Sequence, residues 1–568
     1  MHFVKKEPTT EEQKEQKRKE REKKLKIFSA ARDRLFDKRQ KGELDEEVLA
    51  ISGQLLQKNP DVYTFWNIRR QALILISQKI AAENSDDEAK RDERLAALYK
   101  EEMILTEACI QENPKSYGAW FQRGWVLERT PKPDYQFELK LCNLALRLDE
   151  RNFHCWDHRR IVCRLANIPL EDELKFSDEK VNDNFSNYSA WHYRSSLLAR
   201  THPDPDGRLP MDESTLAKEL GLATNAFYTD PEDQSAWFYT SWLFDDQHAF
   251  AEGPVPVWVT VDRKKSTILL VMSGAVEAKT VGDMIATDAD GEWIPADSQA
   301  QSSQVWLFKS SSLGPATKVT LSYKALDVQV EDEWTDLDAI RALLAPANPE
   351  GSLKTALEKM LASCQELATV EPHNKWPTFI ATLCMRRLDA QANHDQILSN
   401  LEKKLPELDP KRAGMYADLA SDIRVDRFLL DALAEYSPVP DTLRMVRMEL
   451  TSLGQLHLFA GRLTQLDLSE NRLKSVAALR RLPLLEYVTL NSNEISSLEC
   501  LSDGMDNLEF VSIASNGLTS VQQIADLKKA KKLGRLVVCE NPFCDDKEQL
   551  EELRRVFGDS VRVIPFWL

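Results

Sequence analysis

Hydrophobic and polar positions along the chain fall into three textures. Over residues 49–245 the apolar positions recur at helical spacing, punctuated by Trp66, Trp120, Trp156, Trp191 and Trp237. An Asn or Asp stands seven residues before each: Asn59, Asn113, Asp149, Asn184 and Asp230. An aromatic precedes the first four tryptophans by three (Tyr63, Tyr117, Phe153, Tyr188), and an arginine follows them by three (Arg69, Arg123, Arg159, Arg194). The tryptophan spacings of 54, 36, 35 and 46 residues predict a repeat architecture with loop insertions. Amphipathic runs such as 99–109 and 137–148 precede these openings, so each unit reads as a helical hairpin. In the second unit Asn113 is the expected N-cap, Pro114 suits the first turn, and Lys115 follows in that turn. One hairpin cannot bury its tryptophan face alone, whereas stacked hairpins can. Each arginine can neutralise neighbouring carboxylates or carbonyls. The fifth copy carries Gln234 and Thr240 at the aromatic and arginine positions. Tetratricopeptide repeats, with a period of about 34, are the competing reading.

The second texture spans 246–328. Short β-rich runs at 257–261, 267–272, 305–308 and 319–323, separated by Gly, Pro, Asp and Ser, predict an inserted antiparallel β-sandwich. Helical character then continues over 329–436, with a degenerate sixth hairpin at 356–376. The third texture, 437–568, is leucine-rich. Leu463, Leu466, Leu468, Asn471 and Leu473 recur as Leu485, Val488, Leu490, Asn493 and Ile495, and two further copies carry Asn516 and Asn541. Asparagine spacings of 22, 23 and 25 residues fit a leucine-rich repeat, in which leucines fill the arc and Asn satisfies loop backbone. A weaker first copy has Thr451 in place of the Asn. Residues 1–48 form a charged N-terminal arm and helix, read as a solvated face. The fold class is mainly α.

Composition narrows the function. At 568 residues the chain holds about three or four domains. A net charge of -17 argues against nucleic acid as a partner and fits an acidic protein that attracts basic ones. Nine cysteines without any Cys-x-x-Cys spacing argue against a disulfide framework and for a reducing cytoplasm. The expectation at the termini is no apolar signal core after Met1 and no prenylated cysteine after Ile564. No run approaches the roughly 20 apolar residues of a membrane helix, so no transmembrane segment is expected.

No phosphate-binding glycine loop, Ser/His/Asp arrangement or Asp-Asp-x-x-Asp diphosphate motif occurs. His154 and His158 share a helix face four residues apart, but Trp156 assigns that segment to the repeat core, so no metal site is assigned to this chain. Lys115 is the better candidate. The equivalent positions read Asp61, Lys115, Arg151, Ser186 and Glu232, so only the second and third repeats are basic there. A cation beside a helix start can hold an anion.

The five copies resemble the repeats of protein prenyltransferase alpha subunits, whose pattern is roughly Pro-x-Asn-Tyr-x-x-Trp-x-x-Arg. The fourth copy, with Asn187, Tyr188, Trp191 and Arg194, follows it closely and departs only at Phe185, where the family has proline. Helical repeats, an inserted immunoglobulin-like sandwich and C-terminal leucine-rich repeats together look like the Rab-directed, geranylgeranyl-transferring branch of that family. The resemblance implies that Lys115 is catalytic and points at the isoprenoid diphosphate, with Tyr117 and His154 lining the same edge as substrate-binding residues. It also implies a separate beta subunit holding zinc, which makes a thiolate of a Rab C-terminal cysteine. That thiolate attacks geranylgeranyl diphosphate, and an escort protein presents the Rab GTPase. His2, on the mobile arm, is a weaker candidate for reaching the partner's zinc. The rival from another class is a non-catalytic scaffold of helical and leucine-rich repeats. Copurification of a zinc-bearing partner with isoprenoid transfer separates the two.

Overall fold

The computed structural model describes residues 11–205, 209–244, 253–297, 300–324, 326–345, 348–498, 501, 505–558 and 560–566. His2 lies outside them. Backbone proximity divides the chain into two compact units, 1–197 and 198–568.

The first unit is helical. A long helix, Glu11–Lys41, precedes the pairs Glu46–Lys58 with Tyr63–Glu83, Glu88–Glu112 with Tyr117–Leu127, and Tyr135–Leu148 with Phe153–Leu165. Leu170–Asp183 pairs with Tyr188–Thr201, whose end runs into the second unit. The tryptophans define the second helix of each pair. Each indole is buried and donates Nε1–H to the backbone carbonyl six residues upstream, Pro60 for Trp66, Pro114 for Trp120, Glu150 for Trp156 and Phe185 for Trp191, all at 2.8 Å. The ring thus fills the core while its one polar atom stays paired, the condition for burying an indole. The arginines work as expected. Arg69 binds Glu102, Arg123 binds Glu138 and Arg159 binds Glu173, each through Nε at 2.8 Å, and Arg194 pairs with Asp178. Arg123 also donates to the Met103 carbonyl at 3.0 Å.

In the second unit the fifth hairpin is Glu213–Thr229 with Gln234–Leu243. Thr240 turns back onto the Ala236 carbonyl at 2.8 Å, and the Tyr239 hydroxyl meets Glu219 at 2.6 Å, on the carboxylate that faces this hairpin. Trp237 keeps the rule, donating to the Pro231 carbonyl at 3.0 Å. The sixth hairpin is Gly351–Val370 with Lys375–Asp389, and Asn374 ties it to the fifth through the same Pro231 carbonyl at 2.7 Å.

Eight strands stand between these hairpins: β1 (Pro256–Asp262), β2 (Thr267–Glu277), β3 (Ile285–Thr287), β4 (Gly291–Pro295), β5 (Ser302–Ser310), β6 (Val319–Tyr323), β7 (Leu326–Gln329) and β8 (Glu333–Thr335). They form one sheet in the order β4-β5-β2-β1-β8 and a second in the order β3-β6-β7. Val259, Leu270, Trp306 and Phe308 of the first sheet share a core with Ile285, Val319 and Leu321 of the second. The strands run past the expected boundary at 328, because Glu333–Thr335 pairs antiparallel with β1.

The C-terminal region is a parallel six-stranded sheet of β9 (Thr442–Arg444), β10 (Gln465–Asp467), β11 (Tyr487–Thr489), β12 (Phe510–Ser512), β13 (Arg535–Val537) and β14 (Arg562–Ile564), in chain order. Leu443, Leu466, Val488, Val511, Leu536 and Val563 stand in register across it. Each asparagine ties neighbouring turns together. Asn493, for example, accepts the Leu473 N–H at 3.0 Å and donates to the Leu468 and Leu490 carbonyls at 3.0 and 3.1 Å. The first copy does without one because Thr451 is held by a helix instead. Its hydroxyl donates to Asp418 at 2.6 Å and its N–H to Ser421 at 2.8 Å, both on Ala413–Glu435.

Candidate functional site

Every repeat opens with the same turn. The side-chain oxygen of the Asn or Asp accepts the backbone N–H two residues on: Asn59 from Asp61, Asn113 from Lys115, Asp149 from Arg151, Asn184 from Ser186 and Asp230 from Glu232, at 2.9 to 3.2 Å. This corrects the capping expected from sequence. Asn113 ends the preceding helix, its N–H bonded to the Cys109 carbonyl, and Ser116 is the N-cap, its hydroxyl accepting from Ala119. Lys115 therefore stands one residue ahead of the cap, outside the first turn. With its own N–H used in the turn, its attraction for an anion resides in the ammonium and not in the helix end.

The Lys115 side chain is 67% exposed, and its Nζ lies 3.2 Å from Asp149 Oδ2 in the next repeat. Half-exposed Tyr117 sits two residues on, its ring edge-to-face with buried His154 at 4.2 Å between centroids. Phe153 packs against both rings, at 5.8 and 4.0 Å. Lys115, Tyr117 and His154 thus come together on one edge across two repeats. Burial lowers the His154 pKa below the ordinary imidazole value, against a smaller opposing pull from Asp157 and the Lys115 backbone. His154 is therefore a neutral imidazole near pH 7.

His158, one turn further along the same helix face, has different partners. Its Nε2 lies 2.8 Å from Glu138, which is also gripped by Arg123. Burial would raise the Glu138 carboxyl, but His158 and Arg123 hold it below the usual range. The two histidines thus serve different surroundings. Among the described residues no three His, Cys, Asp or Glu side chains converge as metal ligands. The described cysteines are buried free thiols, and among the described residues no helix is long and apolar enough to cross a membrane.

What sequence reading missed here is the Lys115–Asp149 contact. The two are 34 residues apart, near one repeat length, and that spacing was the available signal.

Comparison with known proteins gives a consistent set of relatives. A family model described as the protein prenyltransferase alpha subunit repeat matches residues 99–130, 135–166 and 170–201. The geranylgeranyl transferase type-2 subunit alpha of Homo sapiens is 38% identical over 595 residues, covering 99% of this chain and all of the relative. The protein of the same name from Pongo abelii is 38% identical over 584 residues, covering 97% and 98%. The one from Dictyostelium discoideum is 42% identical over 250 residues, covering 43% of this chain and 74% of the relative.

Proposed function

The chain belongs to the family of geranylgeranyl transferase type-2 alpha subunits, and from that membership we propose that it is half of a working enzyme. With a prenyltransferase beta subunit it moves geranylgeranyl from geranylgeranyl diphosphate to C-terminal cysteines of Rab GTPases, which an escort protein presents. The observation that carries this reading is similarity along the whole length of the human relative. It outweighs the scaffold alternative, which accounts for repeats but not for that relationship.

A beta subunit fits the surface of the first unit. Tyr63, Tyr117, Phe121, Phe153 and Tyr188 are all exposed large aromatics, and four of them occupy the same place in successive repeats. A regular aromatic row of this kind marks a surface that a partner covers. We assign the zinc to that partner. The buried thiols fit a reducing cytoplasm.

Chemically, the cysteine sulfur bonds to C1 as the C1–O bond breaks, and the electron pair leaves with diphosphate. Negative charge accumulates on the leaving group, so a fixed cation there binds the transition state more tightly than the ground state. Lys115 is that cation. Tyr117 and neutral His154 line the edge beside it and present hydrogen-bonding groups without adding charge.

We read 253–335 as an immunoglobulin-like sandwich and 437–568 as leucine-rich repeats. The sheet order β4-β5-β2-β1 with β3-β6-β7 supports the first, since it matches the D-E-B-A and C-F-G sheets of that fold, with β8 added beside β1. The asparagine ladder supports the second.

Lys115→Ala in the intact complex tests the catalytic role. Single-turnover transfer should fall about 10- to 1,000-fold, while lipid binding changes much less. Lys115→Arg should rescue only part, because a planar fork cannot place its charge as a point ammonium does. An Ala variant that reacts at the parent rate would reduce this chain to scaffolding.

A further inference from the structure

Asp149 uses its two carboxylate oxygens differently. Oδ1 accepts the Arg151 N–H at 3.1 Å, closing the turn that opens the third repeat. Asn59, Asn113 and Asn184 close the same turn in their repeats as neutral amides, so the turn needs no negative charge. Oδ2 spends that charge on Lys115 Nζ, 3.2 Å away. The two side chains are 67% and 36% exposed, and a pair so open to solvent adds little to folding. Its carboxylate is nevertheless anchored by the turn, so the lysine meets a fixed counter-charge rather than a mobile one. The pair lies on the edge that carries Tyr117 and His154.

We propose that Asp149 is a positioning residue for the transfer reaction, holding the Lys115 ammonium where the departing diphosphate gathers charge. The inference rests on the catalytic reading of Lys115 given above. It has two consequences of opposite sign. A carboxylate beside the ammonium repels the incoming diphosphate, which weakens ground-state binding. Holding the ammonium in place removes reorganisation from the transition state, which speeds the chemical step. Asp149→Asn removes the charge and keeps the turn, as the three natural asparagines do.

The test uses the intact complex with its beta subunit, tritiated geranylgeranyl diphosphate and single-turnover transfer. Asp149→Asn should tighten lipid diphosphate binding about 2- to 5-fold and slow the single-turnover step about 5- to 20-fold. A merely structural defect would weaken both together. In a Lys115→Ala background the same substitution should still tighten diphosphate binding but change the single-turnover step by no more than about 2-fold, because the partner it positions is gone. The proposal is overturned if the slowing persists without Lys115, if rate and affinity fall together, or if Asp149→Asn leaves both unchanged while Lys115→Ala is slow. Should Lys115→Ala itself be silent in an active complex, the catalytic reading of Lys115 fails and this inference falls with it.

Discussion

A single buried histidine shows how the second unit will respond to acid. His457 is 5% exposed, and among the described residues neither ring nitrogen has a hydrogen-bond partner. Burial, reinforced by the Arg481 charge, drops its pKa to about 3. In the unfolded chain it titrates near its ordinary value of about 6.5. Above that pH the imidazole is neutral in both states and contributes nothing to pH dependence. As pH falls from about 6.5 towards 3, only the unfolded chain takes the proton, so stability is lost across that window by up to about 1.4 kcal/mol per pH unit. His457→Leu removes the proton-binding site and should flatten the fall in melting temperature between pH 7.5 and 5 relative to the parent. Identical slopes for the two proteins would show that His457 finds a proton-accepting partner in the folded state. Residue-scale features of this kind were largely illegible in the sequence. His457 looks like any polar residue among leucines, and the capping role of Ser116 was hidden because Asn113 is an equally good cap by composition. The choice between them was made by the preceding helix, which claims the Asn113 N–H.

Elements were more legible, for a physical reason. Trp66, Trp120, Trp156, Trp191 and Trp237 each need the same pocket and the same carbonyl, and Asn471, Asn493, Asn516 and Asn541 each bind neighbouring turns. Repetition therefore leaves a period that can be read. What leaves no period is the contact between unlike elements. In the second unit β1 packs against the short helical turn Leu456–Phe459 and the residues after it, with Trp258 and Phe459 in one core alongside the leucines of the parallel sheet. Thr260 donates to the Gly461 carbonyl at 2.7 Å, and Arg462 pairs with Glu333 at 2.9 Å. Gly461 is required by this packing, since a methyl carbon placed there would lie 2.3 Å from the Trp258 ring. Gly461→Ala must push the two regions apart and should cost about 1–3 kcal/mol, read as a lower urea midpoint. An unchanged midpoint would mean that the β1 face is not a firm part of the core. The same shared core means that removing 253–335 alone would expose leucines that Trp258 now covers.

At the scale of the whole molecule the chain divides its labour. Lys115, Tyr117 and His154 gather on an edge of the first unit, and the exposed aromatic row lies in the same unit. The second unit holds the sheets, whose inward residues are spent on packing and backbone hydrogen bonds. Under the proposed function this chain supplies the Lys115 cation to an active centre that a beta subunit completes. The most direct measurement is transfer of tritiated geranylgeranyl to an escort-bound Rab by this chain alone, by a beta subunit alone and by the two mixed, with the mixture resolved by size. A one-to-one complex is expected, with transfer only where both subunits are present. Transfer by this chain alone, or a mixture that stays as separate subunits without activity, would contradict it.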